Sequence, residues 1–167
     1  MCAFPLGDFK IPKKIQKKLE NETWLKKELE KGRSAQEILG FTDEVMASFY
    51  AAAHHLLERD CYADAINAFF FLATLNSRNF EYWLGLGMAM QASGQFEESI
   101  DALEMAAMLE PESPLAFFYL AKSLYSVGER ENALEAIEIA LECADGKELY
   151  REIKFQALKV KELLLRR

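Results

Sequence analysis

Two adjacent histidines, His54 and His55, are the only imidazoles in the chain, and imidazole is the commonest metal ligand and general base. Neighbours on a helix point about 100° apart, so this pair cannot hold one ion in the way an i, i+4 pair does. No CxxC or HExxH motif supplies further ligands. Gly85-Leu86-Gly87 starts like a dinucleotide loop, but Met90 stands where the third glycine belongs and a helical pattern surrounds it. Cys61 falls in a turn with no evident base beside it. Glu97, Glu98 and Asp101 fit a solvated helix face. None of these groups forms a catalytic constellation, a metal site or a cofactor site, so the expectation is a protein that is not an enzyme.

Composition narrows the remaining classes. The chain has 167 residues, 51% apolar and 28% charged, enough for one core in one domain. A net charge of −7 repels phosphate backbones and argues against nucleic acid as a partner. The charge is uneven: residues 8–33 hold nine Lys or Arg against five Asp or Glu, so a basic end precedes an acidic body. No run of about 18 apolar residues is present to span a membrane. The start, MCAFPLGDFKIPKK, lacks the order of a secretory signal. Cys2, Cys61 and Cys143 are odd in number and far apart, which predicts reduced thiols and a cytoplasmic location.

The elements that would carry a binding site come from a self-similarity at an offset of 34 residues. Phe49, Ala52, Ala53 and Asp60 recur as Trp83, Leu86, Gly87 and Gly94, and again as Phe117, Leu120, Ala121 and Gly128. That period marks the tetratricopeptide repeat, a pair of helices stacked into a solenoid. The predicted fold is therefore all-α, with an N-terminal arm and helix over 1–41, three repeats over 42–147 (46–79, 80–113 and 114–147), and a C-terminal capping helix in 148–167. Helices are expected near 43–59, 62–76, 80–93, 96–109, 114–127, 130–143 and 146–165. Gly94 and Gly128 suit turns that need positive φ, whereas Asp60 tolerates that geometry less easily. Ser34 and Glu37 have capping-box spacing, and Thr42 can cap the next helix. The small residues Gly87, Ala121, Ala65, Ser99 and Ala133 are expected to let helices approach closely. Ile11, Ile15, Leu19, Leu25 and Leu29 form an apolar stripe among lysines in the N-terminal helix. Leu149, Ile153, Leu158, Val160 and Leu164 are expected to cover the end of the stack.

In such an array the first helix of each repeat lines a concave groove. Helical spacing then selects Ala47, Tyr50, Ala51, His54 and Leu57 in repeat one. It selects Glu81, Leu84, Gly85, Met88 and Gln91 in repeat two, and Leu115, Phe118, Tyr119, Lys122 and Tyr125 in repeat three. The set is mostly apolar and aromatic, which favours an extended segment inserting apolar side chains. At the places where other repeat proteins of this type carry the Lys, Arg and Asn that clamp acidic heat-shock tails, it has Tyr50, His54, Gly85, Leu115 and Tyr119.

The stretch Phe80–Ile100, FEYWLGLGMAMQASGQFEESI, resembles the second repeat of the class II type III secretion chaperones. The segment SAQEILGFTDEVMASFYAAAHHLLERDCYADAINAF is similar to that family's lead into repeat one. The resemblance covers about residues 34–147. It implies a chaperone in a bacterial cytoplasm that holds a hydrophobic translocator of a secretion apparatus before export. Family members bind a short extended client segment, often Pro-x-Leu-x-x-Pro, in the groove. Tyr50 corresponds to the groove aromatic of repeat one, while His54 and Leu57 stand where aromatic rings are frequent. Those departures leave room for a gatekeeper protein as client. The resemblance also implies a homodimer through the N-terminal region, which makes the Ile11–Leu29 stripe the candidate interface. Other readings of the same repeats are a general interaction scaffold and a regulatory partner.

Overall fold

The computed structural model describes Lys13, Lys17, Lys18 and residues 20–166. Ile11, Ile15 and Leu19 of the expected interface stripe lie outside these residues. Every described regular element is helical, and no described helix is long and apolar enough to cross a membrane. The chain divides into two compact units, Met1–Arg78 and Asn79–Arg167, and each is built by the same local rules.

In the first unit, α1 (Glu22–Glu30) starts at Asn21, whose side chain accepts the Trp24 amide at 3.0 Å. Its inner residue is a charge: Glu28 is 5% exposed. Lys31 and Arg33 each donate to it at 2.7 Å, which satisfies an otherwise costly burial. The short α2 (Ala35–Leu39) opens with the expected Ser34–Glu37 capping box and stops at Gly40, φ +75°. Thr42 caps α3 (Asp43–Glu58), which buries Met46, Phe49, Ala53 and Leu56, one stripe at helical spacing. α4 (Tyr62–Leu75) packs on it. Phe41, Phe49 and Phe71 meet edge to face with centroids 5.9–6.5 Å apart. The Gln36 amide joins Asp43 and Asn76, fixing α2 to the outer ends of α3 and α4.

The second unit contains α5 (Phe80–Ala92), α6 (Phe96–Leu109), α7 (Pro114–Ser126), α8 (Arg130–Ala144), a 3-10 turn (Glu148–Tyr150) and α9 (Arg151–Leu165). Pro114 begins α7 where its missing N–H costs nothing. The 34-residue period reappears in burial. Ala53, Gly87 and Ala121 are buried, as are Ala65, Ser99 and Ala133, then Phe69, Leu103 and Ile137, then Leu72, Ala106 and Ala140. It reappears in the backbone as well, with positive φ at Asp60 (58°), Gly94 (84°) and Gly128 (89°). At Asp60 the carboxylate accepts the Tyr62 hydroxyl at 2.6 Å. Gly87 has a different role: a Cβ there would lie 2.5 Å from Leu103 Cγ, so α5 and α6 touch backbone to side chain.

The C-terminal helix corrects part of its expected stripe. Gly146 (φ +69°) and the 3-10 turn delay regular helix to Arg151. The inward face becomes Ile153, Ala157, Val160 and Leu164, packed on the Leu120, Leu124 and Ile137 cluster. Leu149 is 85% exposed and Leu158 50%. Arg130 donates to the carbonyls of Leu164 and Arg166, holding the end of α9, while Lys161 pairs with Glu138 at 2.7 Å. Among the described residues, Cys143 is a free thiol.

Candidate binding surface

The groups that suggested chemistry do not converge. His54 lies in an aromatic cluster, 4.5 Å from the Tyr50 ring and 5.1 Å from Phe69, both edge to face. Gly85-Leu86-Gly87 is inside α5, not in a loop before a helix. Cys143 donates to the Pro111 carbonyl, and burial raises its thiol above the usual range, the opposite of nucleophile activation. Glu97, Glu98 and Asp101 are exposed on α6.

The predicted contact residues sort by burial. In the first unit, α3 presents Ala47 and Ala51 exposed, with Tyr50, His54 and Leu57 half-buried. In the second, α5 presents Glu81 exposed and Leu84 and Met88 half-buried. On α7, Leu115 and Tyr119 are half-buried, and Lys122 and Tyr125 are exposed. Two positions move inward. Gly85 is buried, and Phe118 is 4% exposed within the cluster of Leu103, Ala121 and Ile137. Phe118 therefore supports the surface from below.

The α5 and α7 faces are tied by a polar chain. The Gln91 amide donates to the Tyr119 carbonyl at 2.9 Å and to the Ser123 hydroxyl. Ser123 then meets Ser99, whose hydroxyl reaches the Phe96 carbonyl at 3.0 Å. All three helices are linked through the fully buried Ser99 and Ser123, where satisfied hydrogen bonds hold geometry tightly. Gln91 is thus a strut whose amide hydrogens are already committed. Sequence assigns Ser99 only the role of a small residue, because a hydroxyl's partner is invisible at this separation along the chain.

Above that chain, Leu84 packs against both apolar clusters of the unit. Leu115 and Tyr119 lie on them too. The Lys122 ammonium sits 5.6 Å from the Phe118 ring centre and 5.3 Å from that of Tyr119. Burial raises the Tyr119 phenol, which stays a protonated donor at neutral pH, and partial desolvation lowers Lys122. Such a face offers apolar contact area, the Tyr119 hydroxyl and one cation. That composition can hold a peptide and lacks a nucleophile–base pair. A separate cavity of about 650 Å³ in the first unit is lined partly by Arg33, Gln36, Asp43, Asn76 and Arg78, and no sequence motif marks it.

Fold and surface together define a class, the all-α helical-repeat proteins. Within that class the chain is similar to the low calcium response locus protein H of Yersinia pestis, at 25% identity over 127 residues, covering 72% of this chain and 76% of that protein. No protein-family model matches it. Among solved structures, a type III secretion complex from Aeromonas hydrophila superposes with a TM-score of 0.81 at 24% identity, over 86% of this chain and 95% of that one. The Yersinia enterocolitica translocator chaperone SycD, in complex with a peptide of the translocator YopD, matches with a TM-score of 0.71 at 24% identity, over 74% and 94% of the two chains. The resemblance read from Phe80–Ile100 is borne out by these likenesses, as is the all-α repeat fold.

Proposed function

We propose that the chain is a non-catalytic chaperone of a bacterial type III secretion system. It holds an extended segment of a secreted translocator or gatekeeper on its α5–α7 face, in the cytoplasm, until export. The observation that carries this reading is the half-buried set Leu84, Met88, Leu115 and Tyr119 on α5 and α7, in a fold that in SycD is seen with a translocator peptide. Its physical logic is plain. A client with membrane-inserting helices aggregates if unescorted, and covering one segment keeps the remainder soluble and unfolded for threading.

The test is affinity isolation from the native bacterium, comparing wild type with a Leu84→Ala, Tyr119→Ala double variant of unchanged helical content. Each truncation should weaken a central contact by about 1–2 kcal/mol. Capture of a secreted, membrane-inserting protein by wild type and its loss from the variant supports the reading. Equal capture by both of folded proteins that are never exported favours a general scaffold or a regulatory partner.

A further inference from the structure

Lys122 is the only Lys or Arg between Arg78 and Arg130, in a stretch that carries eight Asp or Glu. Every acid of that stretch is more than one helical turn away in sequence, and its i±3 and i±4 neighbours are Phe118, Tyr119, Tyr125 and Ser126. Among the described residues no carboxylate lies within ion-pair distance of Lys122. Its ammonium instead rests over two aromatic faces. Lysines on an acidic protein normally find a carboxylate or extend fully into water, as Lys154 and Lys161 of α9 do with Asp145 and Glu138. This one is held beside Tyr119, on the surface to which a client segment is assigned.

Resting on that assignment, we propose that Lys122 is a specificity determinant that pairs with a single Asp or Glu side chain inside the bound segment. Three features shape the preference. The cation–π contacts fix where the positive charge is, so a carboxylate gains most at one register of the peptide. The Phe118 and Tyr119 rings cover one side of the ammonium, which strengthens a charge pair over a fully solvated one. The remaining charge of the stretch is negative, so additional acids on the segment are repelled. The favoured ligand is therefore an apolar segment with one acid beside its anchoring side chains, and a polyacidic tail is disfavoured.

The experiment selects short internal peptides from a randomised library on the full-length chain. Amidated synthetic copies, which carry no terminal carboxylate, are then titrated against wild type, Lys122→Met and Lys122→Glu. Lys122 is exposed, so neither variant should impair folding. The expected result is a shared acidic position at fixed spacing from the apolar anchors. Lys122→Met should weaken these peptides about fivefold and leave their Asn or Gln versions unchanged. Lys122→Glu should prefer peptides with Lys at that position. Apolar peptides with no acidic preference, bound equally by wild type and Lys122→Met, would overturn the proposal. In that case, loss of binding in Leu84→Ala and Tyr119→Ala shows that the client surface itself still stands. Binding that survives those two truncations, or no selected peptide at all, removes both.

Discussion

Gly87→Ala is the sharpest structural test because two effects of opposite sign meet at one methyl group. Replacing a helix-interior glycine by alanine gains about 1 kcal/mol through backbone entropy. Against this, the new Cβ would lie 2.5 Å from Leu103 Cγ and 2.7 Å from Cδ2. Leu103 is fully buried with Ala121 and Ile137 beside it, so it has nowhere to swing. Overpacking of that kind costs about 1–3 kcal/mol and more when the neighbour is confined. The clash should win, for a net loss of about 1–2 kcal/mol. The control is Leu103→Ala, which alone costs about 2–5 kcal/mol. In that background the obstacle is gone, so Gly87→Ala should change sign and stabilise by about 1 kcal/mol. Urea unfolding in a Trp24→Phe background would read the second unit alone, since Trp83 on α5 is then the only tryptophan. Equal effects of Gly87→Ala in both backgrounds, or stabilisation in the first, would refute the close-contact account.

Three further outcomes are expected. Glu28 is held below the ordinary glutamate range, first by its hydrogen bond from Lys31 and further by the charge of Arg33. A depressed carboxyl stabilises above its unfolded pKa and loses that contribution as pH falls through the folded value, so acid titration should destabilise wild type more than Glu28→Gln, followed by Trp24 fluorescence in a Trp83→Phe protein. Arg130→Ala removes the donor to the last carbonyls of α9, and hydrogen exchange should show that helix opening about tenfold more readily, with α5 unchanged. If copies pair through the exposed Leu29 and its neighbour Leu25 on α1, Leu25→Asp with Leu29→Asp should halve the mass measured by light scattering.

The sequence period locates the helices well, because equivalent residues 34 apart face equivalent environments. Ala53, Gly87 and Ala121 can be assigned together for that reason. Position on the surface is harder. α7 carries Leu115, Ala116, Phe117, Phe118, Leu120, Ala121 and Leu124, so it is apolar nearly all round and periodicity does not say which phenylalanine goes inside. The structure buries Phe118 and leaves Phe117 half-covered. In α9 the inward face contains Ala157, too small to register as part of an apolar stripe, and the Gly146 turn shifts the phase of the helix beyond it. The buried Glu28 pair and the Gln91–Ser123–Ser99 chain are invisible in the sequence because each depends on partners that only folding supplies.

The central claim is that the α5–α7 face holds an exported client as an extended segment. A photo-crosslinking phenylalanine at Tyr119, expressed in the native bacterium and mapped by mass spectrometry, measures this most directly, with the same probe at the exposed Glu98 of α6 as control. The account predicts crosslinks from position 119 to one internal segment of a secreted, membrane-inserting protein, absent from position 98. Identical patterns at both positions, or crosslinks only to proteins that are never exported, would contradict it.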